Sequence, residues 1–151
     1  MRGRERDVGL EQLVHQIDYA GEGYAPVVDY GAWRVAVLNF HPELLPQNIT
    51  AFHCHDQTDE VFVLLSGRCT LHIGETDPPD RIVAIHCIDM VPGRVYNVRR
   101  GTWHSHTLSA DAKVLLVENR DTDETNSREL SLTPGQRKDL VALAAARSPS
   151  G

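Results

Sequence analysis

The chain has 151 residues, 24% of them charged, with a formal net charge of −6 at neutral pH. That length suits one domain with its own core, and the acidic balance argues against a nucleic-acid surface, which needs a basic stripe. No apolar run approaches the ~20 residues of a membrane span. The polar start MRGRERD lacks a signal peptide's apolar stretch. Three cysteines without paired spacing point to a reduced, cytoplasmic setting rather than a disulfide framework.

Residues 1–8 carry mixed charge and little to bury, and are expected to be disordered. Residues 9–20 fit two patterns. Leu10, Leu13, Val14 and Ile17 suit a helical face, while Leu13, Ile17 and Tyr19 against Gln16 and Asp18 suit an edge strand. Gly21 and Gly23 end either one. Nine short strand-like runs follow: Val27–Tyr30, Trp33–Phe40, Ile49–His55, Glu60–Leu65, Cys69–Ile73, Arg81–Cys87, Arg94–Val98, His104–Leu108 and Lys113–Glu118. Turn chemistry separates them: two prolines in His41–Asn48, Ser66-Gly67, Pro78-Pro79, Pro92-Gly93 and Gly101. Such strands without intervening helices predict an all-β antiparallel sandwich or small barrel over residues 9–120. Val61–Leu65 is apolar on both faces. One face can line the barrel, and the other needs cover from a second sheet or a second copy.

The tail, residues 121–151, changes character. Asp121–Leu130 reads as a polar linker. Thr133-Pro134-Gly135-Gln136 reads as a capping box with proline at the first helical position, leading into a helix over Arg137–Arg147. Leu140, Val141, Leu143, Ala144 and Ala145 give that helix an apolar side to dock.

Phe52–Gly67, FHCHDQTDEVFVLLSG, holds the chemistry. His53 and His55 are two apart, so a strand points both imidazoles to one face, and Glu60 opens the next apolar run after a turn. Later, His104 and His106 repeat the spacing, with Trp103, Ser105 and Thr107 on the opposite face. Two imidazoles and a carboxylate at the facing ends of two strands can converge on one cation. Alternation turns Cys54 away from that cation, and Cys69 and Cys87 likewise read as small buried apolar residues. With Cys69, Leu71 and Ile73 inward, His72 is expected to face solvent. Tyr24, Trp33, Tyr96 and Trp103 are assigned to the barrel core or wall. Arg99 and Arg100 offer bidentate contacts to a substrate carboxylate.

The spacing H-x-H-x4-E-x6-G resembles the first motif of the cupin superfamily, lacking only its opening glycine, where Gln47 stands. Gly93, Gly101 and His104 match the second motif, with Arg99 in place of its proline and Leu108 in place of its asparagine. TDEVFVLLSGRC, VYNVRRGTWHSHTLS and VLLVENRDT are similar to a group of small single-domain bacterial cupins without an assigned reaction. The resemblance covers roughly residues 24–120. It implies an antiparallel double-stranded β-helix, the cupin jelly-roll barrel, to which the capping box adds a short C-terminal helix. It also implies His53, His55, Glu60 and His104 as metal ligands, and that the position of His53 is not always histidine. His106 is then a second-layer or substrate-facing group, and His106 and Arg99 are the catalytic candidates.

The ligand set suits one divalent transition metal: Fe, Mn, Ni, Zn or Cu. Three function classes follow. The first is a metal-dependent lyase, isomerase or oxygenase acting on a small anionic metabolite, in a homodimer. The second is a non-catalytic small-molecule binding or sensing module, and the third a scaffold that only dimerises. Fold by itself does not choose among them.

Overall fold

Alternating burial builds ten strands in the computed structural model, which describes residues 9–147. The strands are β1 (Tyr24–Tyr30), β2 (Trp33–Asn39), β3 (Ala51–His55), β4 (Glu60–Ser66), β5 (Cys69–Thr76), β6 (Ile82–Asp89), β7 (Val95–Val98), β8 (Trp103–Leu108), β9 (Lys113–Asn119) and β10 (Ser127–Ser131). They form two five-stranded sheets, one in the order β1-β2-β9-β4-β7 (sheet A) and the other β10-β3-β8-β5-β6 (sheet B), with antiparallel pairing throughout. Residues 1–8, expected to be disordered, lie outside the described residues. No helix among the described residues is long and apolar enough to cross a membrane.

The period of two decides what fills the barrel. In β4, Glu60, Phe62 and Leu64 are buried while Val61 and Val63 are half-buried and Leu65 is exposed. In β9, Val114, Leu116 and Glu118 are the buried set. Phe62, Leu64, Val114 and Leu116 meet Leu71, Leu108, Ala36 and Leu38 in the main core. Each Leu, Val or Phe among them, fully buried, contributes about 1.5–3 kcal/mol. Glu60 and Glu118 stand on the same inward faces but beyond the apolar layer, so the lumen is apolar at one end and charged at the other. At the turn between β4 and β5, Gly67 has φ 70°, and a Cβ there would sit 2.6 Å from the backbone of Ala112. No side chain fits between those two chains.

All nine expected strands are present, with ends shifted by up to three residues. The tail differs. The stretch read as a polar linker contributes β10, which pairs with β3 from Ser127↔His55 to Ser131↔Ala51. Its polarity misled because it is an edge strand, half-buried or exposed throughout. The helix α1 spans Pro134–Arg147, and its capping box forms as the sequence predicts: Gln136 N–H donates to Thr133 Oγ1 (3.1 Å) and Thr133 N–H to Gln136 Oε1 (2.9 Å). Residues 9–20 hold a single 3-10 turn, Leu10–Gln12; neither the long helix nor the edge strand forms. Trp33 is a further correction. It lies 45% exposed against Tyr30 instead of in the barrel.

A second core explains the largest departure. Leu140 of α1 packs with Phe52, Cys54, Ile82 and Trp103 on the outer face of sheet B, and Arg147 donates to Asp89 and to the Cys87 carbonyl. That face is therefore roofed by the helix. His72 does point out of the barrel, as alternation requires, but it is 0% exposed. Its Nδ1 lies 3.2 Å from Cys87 Sγ and its Nε2 3.0 Å from Thr107 Oγ1. Burial, with Arg147 nearby, pushes its pKa down to about 4.

The unfolded chain protonates this histidine near pH ~6.5, the native state only near 4. Between those values the unfolded state holds more protons, so acidification costs stability, by roughly 3 kcal/mol across the window. Urea unfolding at pH 6.5 and 4 should show wild type losing that much more than His72→Gln. Equal losses in the two proteins would show that His72 is not held neutral.

Candidate metal centre

Three elements bring the donors together. β3 ends on His55, β4 begins on Glu60 and β8 carries His104 near its start. Between the first two, the turn residue Asp59 is pinned by Asn97 Nδ2 (3.0 Å) and the Arg100 N–H (2.8 Å). Before β8, Gly101 at φ 78° donates its N–H to the His55 carbonyl (2.8 Å). That left-handed residue turns the chain so that β8 enters beside β3, and His53 and His104 become Cα partners.

Glu60 Oε2 lies 2.8 Å from His55 Nε2 and 3.2 Å from His104 Nε2. One donor atom from each of the three residues falls within 4.8 Å of the others. The carboxylate is buried, which by itself would raise its pKa. The hydrogen bonds from His104 and His55 outweigh that and hold it down to about 2. His55 is shifted upward, mainly by its bond to Glu60.

The far side of each ring is held as well. His104 Nδ1 is 2.9 Å from the Thr102 carbonyl, which only accepts, so that nitrogen carries the proton. In the neutral ring, Nε2 then presents a lone pair to a carboxylate oxygen. Two acceptors 3.2 Å apart need a positive centre between them, a second proton or a metal ion. His55 Nδ1 is 2.7 Å from Ser127 Oγ, a hydroxyl that can donate or accept, so this contact orients the ring with its Nε2 toward Glu60. The donor set, two imidazoles and a carboxylate, fits a divalent transition metal.

The remaining candidates are spread around this triad. His53 faces inward yet is 53% exposed, with Nε2 3.3 Å from Glu129 Oε2. His106 lies one inward step along β8, tilted against Phe62 at 5.7 Å. Burial pushes its pKa down to about 4, and its sealed Nδ1 has no hydrogen-bond partner among the described residues. Arg99 and Arg100 sit exposed on the turn after β7. Cys54 is buried on the outer face, in the second core. Trp103 is there too, with the Arg128 guanidinium 5.1 Å over its ring. Tyr96 packs against the main core.

Sequence reasoning missed the polar wall on sheet A. Register places Glu118 of β9 beside Glu60 of β4 and Arg34 of β2, and the Tyr24 hydroxyl donates to Glu118 Oε1 at 2.5 Å. Burial, with Tyr24 opposing and Glu60 adding, raises the pKa of Glu118. Burial and then Glu118 raise that of Tyr24. Inward parity with Leu116 was the available signal for Glu118. Ser127 and Glu129 had none, since β10 read as a linker.

No protein-family model and no curated protein matches the sequence. Solved structures do. A Streptomyces PAC13 variant with uridine is 7% identical, with 80% of this chain and 88% of that chain covered at a TM-score of 0.54; Pac13 is described as a nucleoside dehydratase. The capsular polysaccharide assembling protein CapF from Staphylococcus aureus is 18% identical over 76% of this chain, at a TM-score of 0.55. The chain has the cupin fold. It spans 34% of the CapF chain. A cupin-2 domain containing protein from Shewanella frigidimarina also aligns, at 19% identity over 68% of this chain and 85% of that one, with a TM-score of 0.47. At these identities the likeness is one of fold, and the cupin barrel here is characterised by its own donors.

Ser127→Ala should leave the barrel folded but weaken divalent metal binding about 10–100-fold, the usual effect of losing a ligand's outer hydrogen bond. Competition with a chromophoric chelator measures it. An unchanged affinity would mean that the hydroxyl does not orient His55.

Proposed function

We propose that this cupin is a divalent-metal-dependent enzyme acting on a small anionic metabolite, as a lyase, isomerase or oxygenase. The observation that carries the reading is the meeting of His55 Nε2, Glu60 and His104 Nε2, with a proton-bearing Nδ1 on His104 directing its other nitrogen at the carboxylate. These three residues would hold the metal, and Fe, Mn, Ni, Zn and Cu all suit them. Bound there, the ion would supply a Lewis acid that polarises a carbonyl or activates water. The chain's own residues do the rest. Ser127 and the Thr102 carbonyl fix the rings. Glu118, oriented by Tyr24, stands beside Glu60 and can take up or return a proton next to a bound substrate. Arg34 on the same wall offers an anion contact.

A second reading keeps the ion as a docking element in a non-catalytic binding module. The uridine in the PAC13 variant supports it, because the same fold there holds a small molecule. Turnover by the metal-loaded protein in a screen of small acids separates the two. The three free cysteines support a cytoplasmic setting.

Protein purified without an affinity tag should contain close to one divalent ion per chain, and both Glu60→Ala and His104→Ala should lose it. Elemental analysis of folded variants, checked by circular dichroism, gives the count. Full occupancy in both would end the metal reading and leave the binding module in front.

The outer face of sheet A favours a homodimer. Val35, Val117 and Val61 form one cross-strand row, and Val37, Leu115, Val63 and Val95 the next. An apolar face of that kind is a liability unless covered, and the default closed assembly is two-fold. Sedimentation at micromolar concentration should give about twice the 16.8 kDa chain mass. A monomer across that range would remove this part of the reading.

A further inference from the structure

Residues 9–20 have the apolar spacing of a packed element, yet only the 3-10 turn Leu10–Gln12 forms there. Leu10, Leu13, Val14 and Ile17 are each between 46% and 69% exposed, and none belongs to either core. Single exposed leucines are ordinary, but a run of large apolar side chains left in water on one short arm is not. The turn's own backbone bonds are local, from Gln12, Leu13 and Val14 back to Gly9 and Leu10.

The tether of this arm decides what it can meet. Asn39 Nδ2 and Lys113 Nζ both donate to the Tyr19 carbonyl, at 3.0 and 2.6 Å, and Asn39 Nδ2 also donates to that of Gly21 at 2.8 Å. Asn39 and Lys113 are Cα partners at one end of β2 and β9. Parity sets them on the outer face of sheet A, the face of Val37 and Leu115. The adjacent outward row crosses all five strands through Ala25, Val37, Leu115, Val63 and Val95. Behind it runs the row of Val28, Val35, Val117 and Val61. The arm thus starts from the rim of an apolar face that α1, seated on sheet B, does not roof. Within one chain the two apolar surfaces share an edge and do not bury each other.

We infer that residues 9–18 of one copy lie across the outer face of sheet A in a second copy, whose own arm returns the contact. This rests on the homodimer reading above and deepens it. A two-fold axis makes the exchange reciprocal, because the face that receives an arm belongs to the chain that lends one. An extended arm of that length reaches roughly 30 Å, and five strands span about 19 Å, so the arm can cross every strand of the sheet. The exchange also accounts for an apolar pattern that finds no packing in its own chain: the side chains it fits are on another molecule.

In a mixture of isotope-labelled and unlabelled chains, isotope-filtered nuclear Overhauser spectra report only contacts between copies. Methyl groups of Leu13 and Val14 in one chain should show such contacts to Val37, Val63 or Leu115 in the other. Sedimentation of the double variant Leu13→Asp/Val14→Asp should give a dimer dissociation constant raised about 100-fold or more. Each change is made at both contacts and sets charge against an apolar face. Circular dichroism should show an unchanged barrel, since neither side chain is in a core. A dimer of unchanged affinity in that variant, or arm contacts found only within a chain, overturns the inference and leaves the homodimer standing. A wild type that stays monomeric removes both.

Discussion

The site depends on a buried carboxylate held between two imidazoles. Taking Glu60 out of water costs several kcal/mol unless its charge is met. His55 and His104 meet it from two strands of the opposite sheet, at 2.8 and 3.2 Å. The contact therefore ties sheet A to sheet B at the polar end of the lumen, where no apolar layer does so. Everything that fixes those rings, from the Gly101 turn to the Thr102 carbonyl, also fixes the distance between the sheets there. Structural and chemical roles fall on the same atoms.

Sheet B has two faces with different tasks. Its inner face carries His55 and His104 and part of the main core. Its outer face carries the second core, closed by α1 through Leu140 and the Arg147 contacts. The helix has a modest apolar side, and it covers a polar histidine as well as hydrophobic residues. His72 is tolerated there because Cys87 and Thr107 satisfy both ring nitrogens. Sheet A has no comparable roof among the described residues.

Much of this was legible in the sequence, for physical reasons that differ by element. Strand alternation placed Glu60, His104, His106 and Cys54 on the correct faces, because a period of two leaves little freedom once one face is apolar. The capping box set the start of α1 by local hydrogen bonding alone. Three things were hidden. β10 is a polar edge strand without a hydrophobic signature. His72 required knowing that the helix folds back over its sheet. The pairing of His53 with Glu129 required the register of β10. Each is a long-range fact, settled by which surfaces meet and invisible to any window along the chain. Alternation held an unused signal for the inward direction of Glu118, but none for the Tyr24 hydroxyl that reaches it.

β10 has a further consequence. Its five residues supply the Ser127 hydroxyl behind His55 and the Glu129 carboxylate beside His53. They also supply the Arg128 guanidinium, which grips Asp56 with two nitrogens and spans the Trp103 ring on the reverse face. A fragment ending at Arg120 would still spell out both histidine motifs in full. It would nevertheless expose the edge of β3 and remove the hydroxyl at His55 Nδ1, leaving that ring held from the Glu60 side alone. Support for the candidate site thus comes from the least conspicuous strand, past the point where the histidine motifs end.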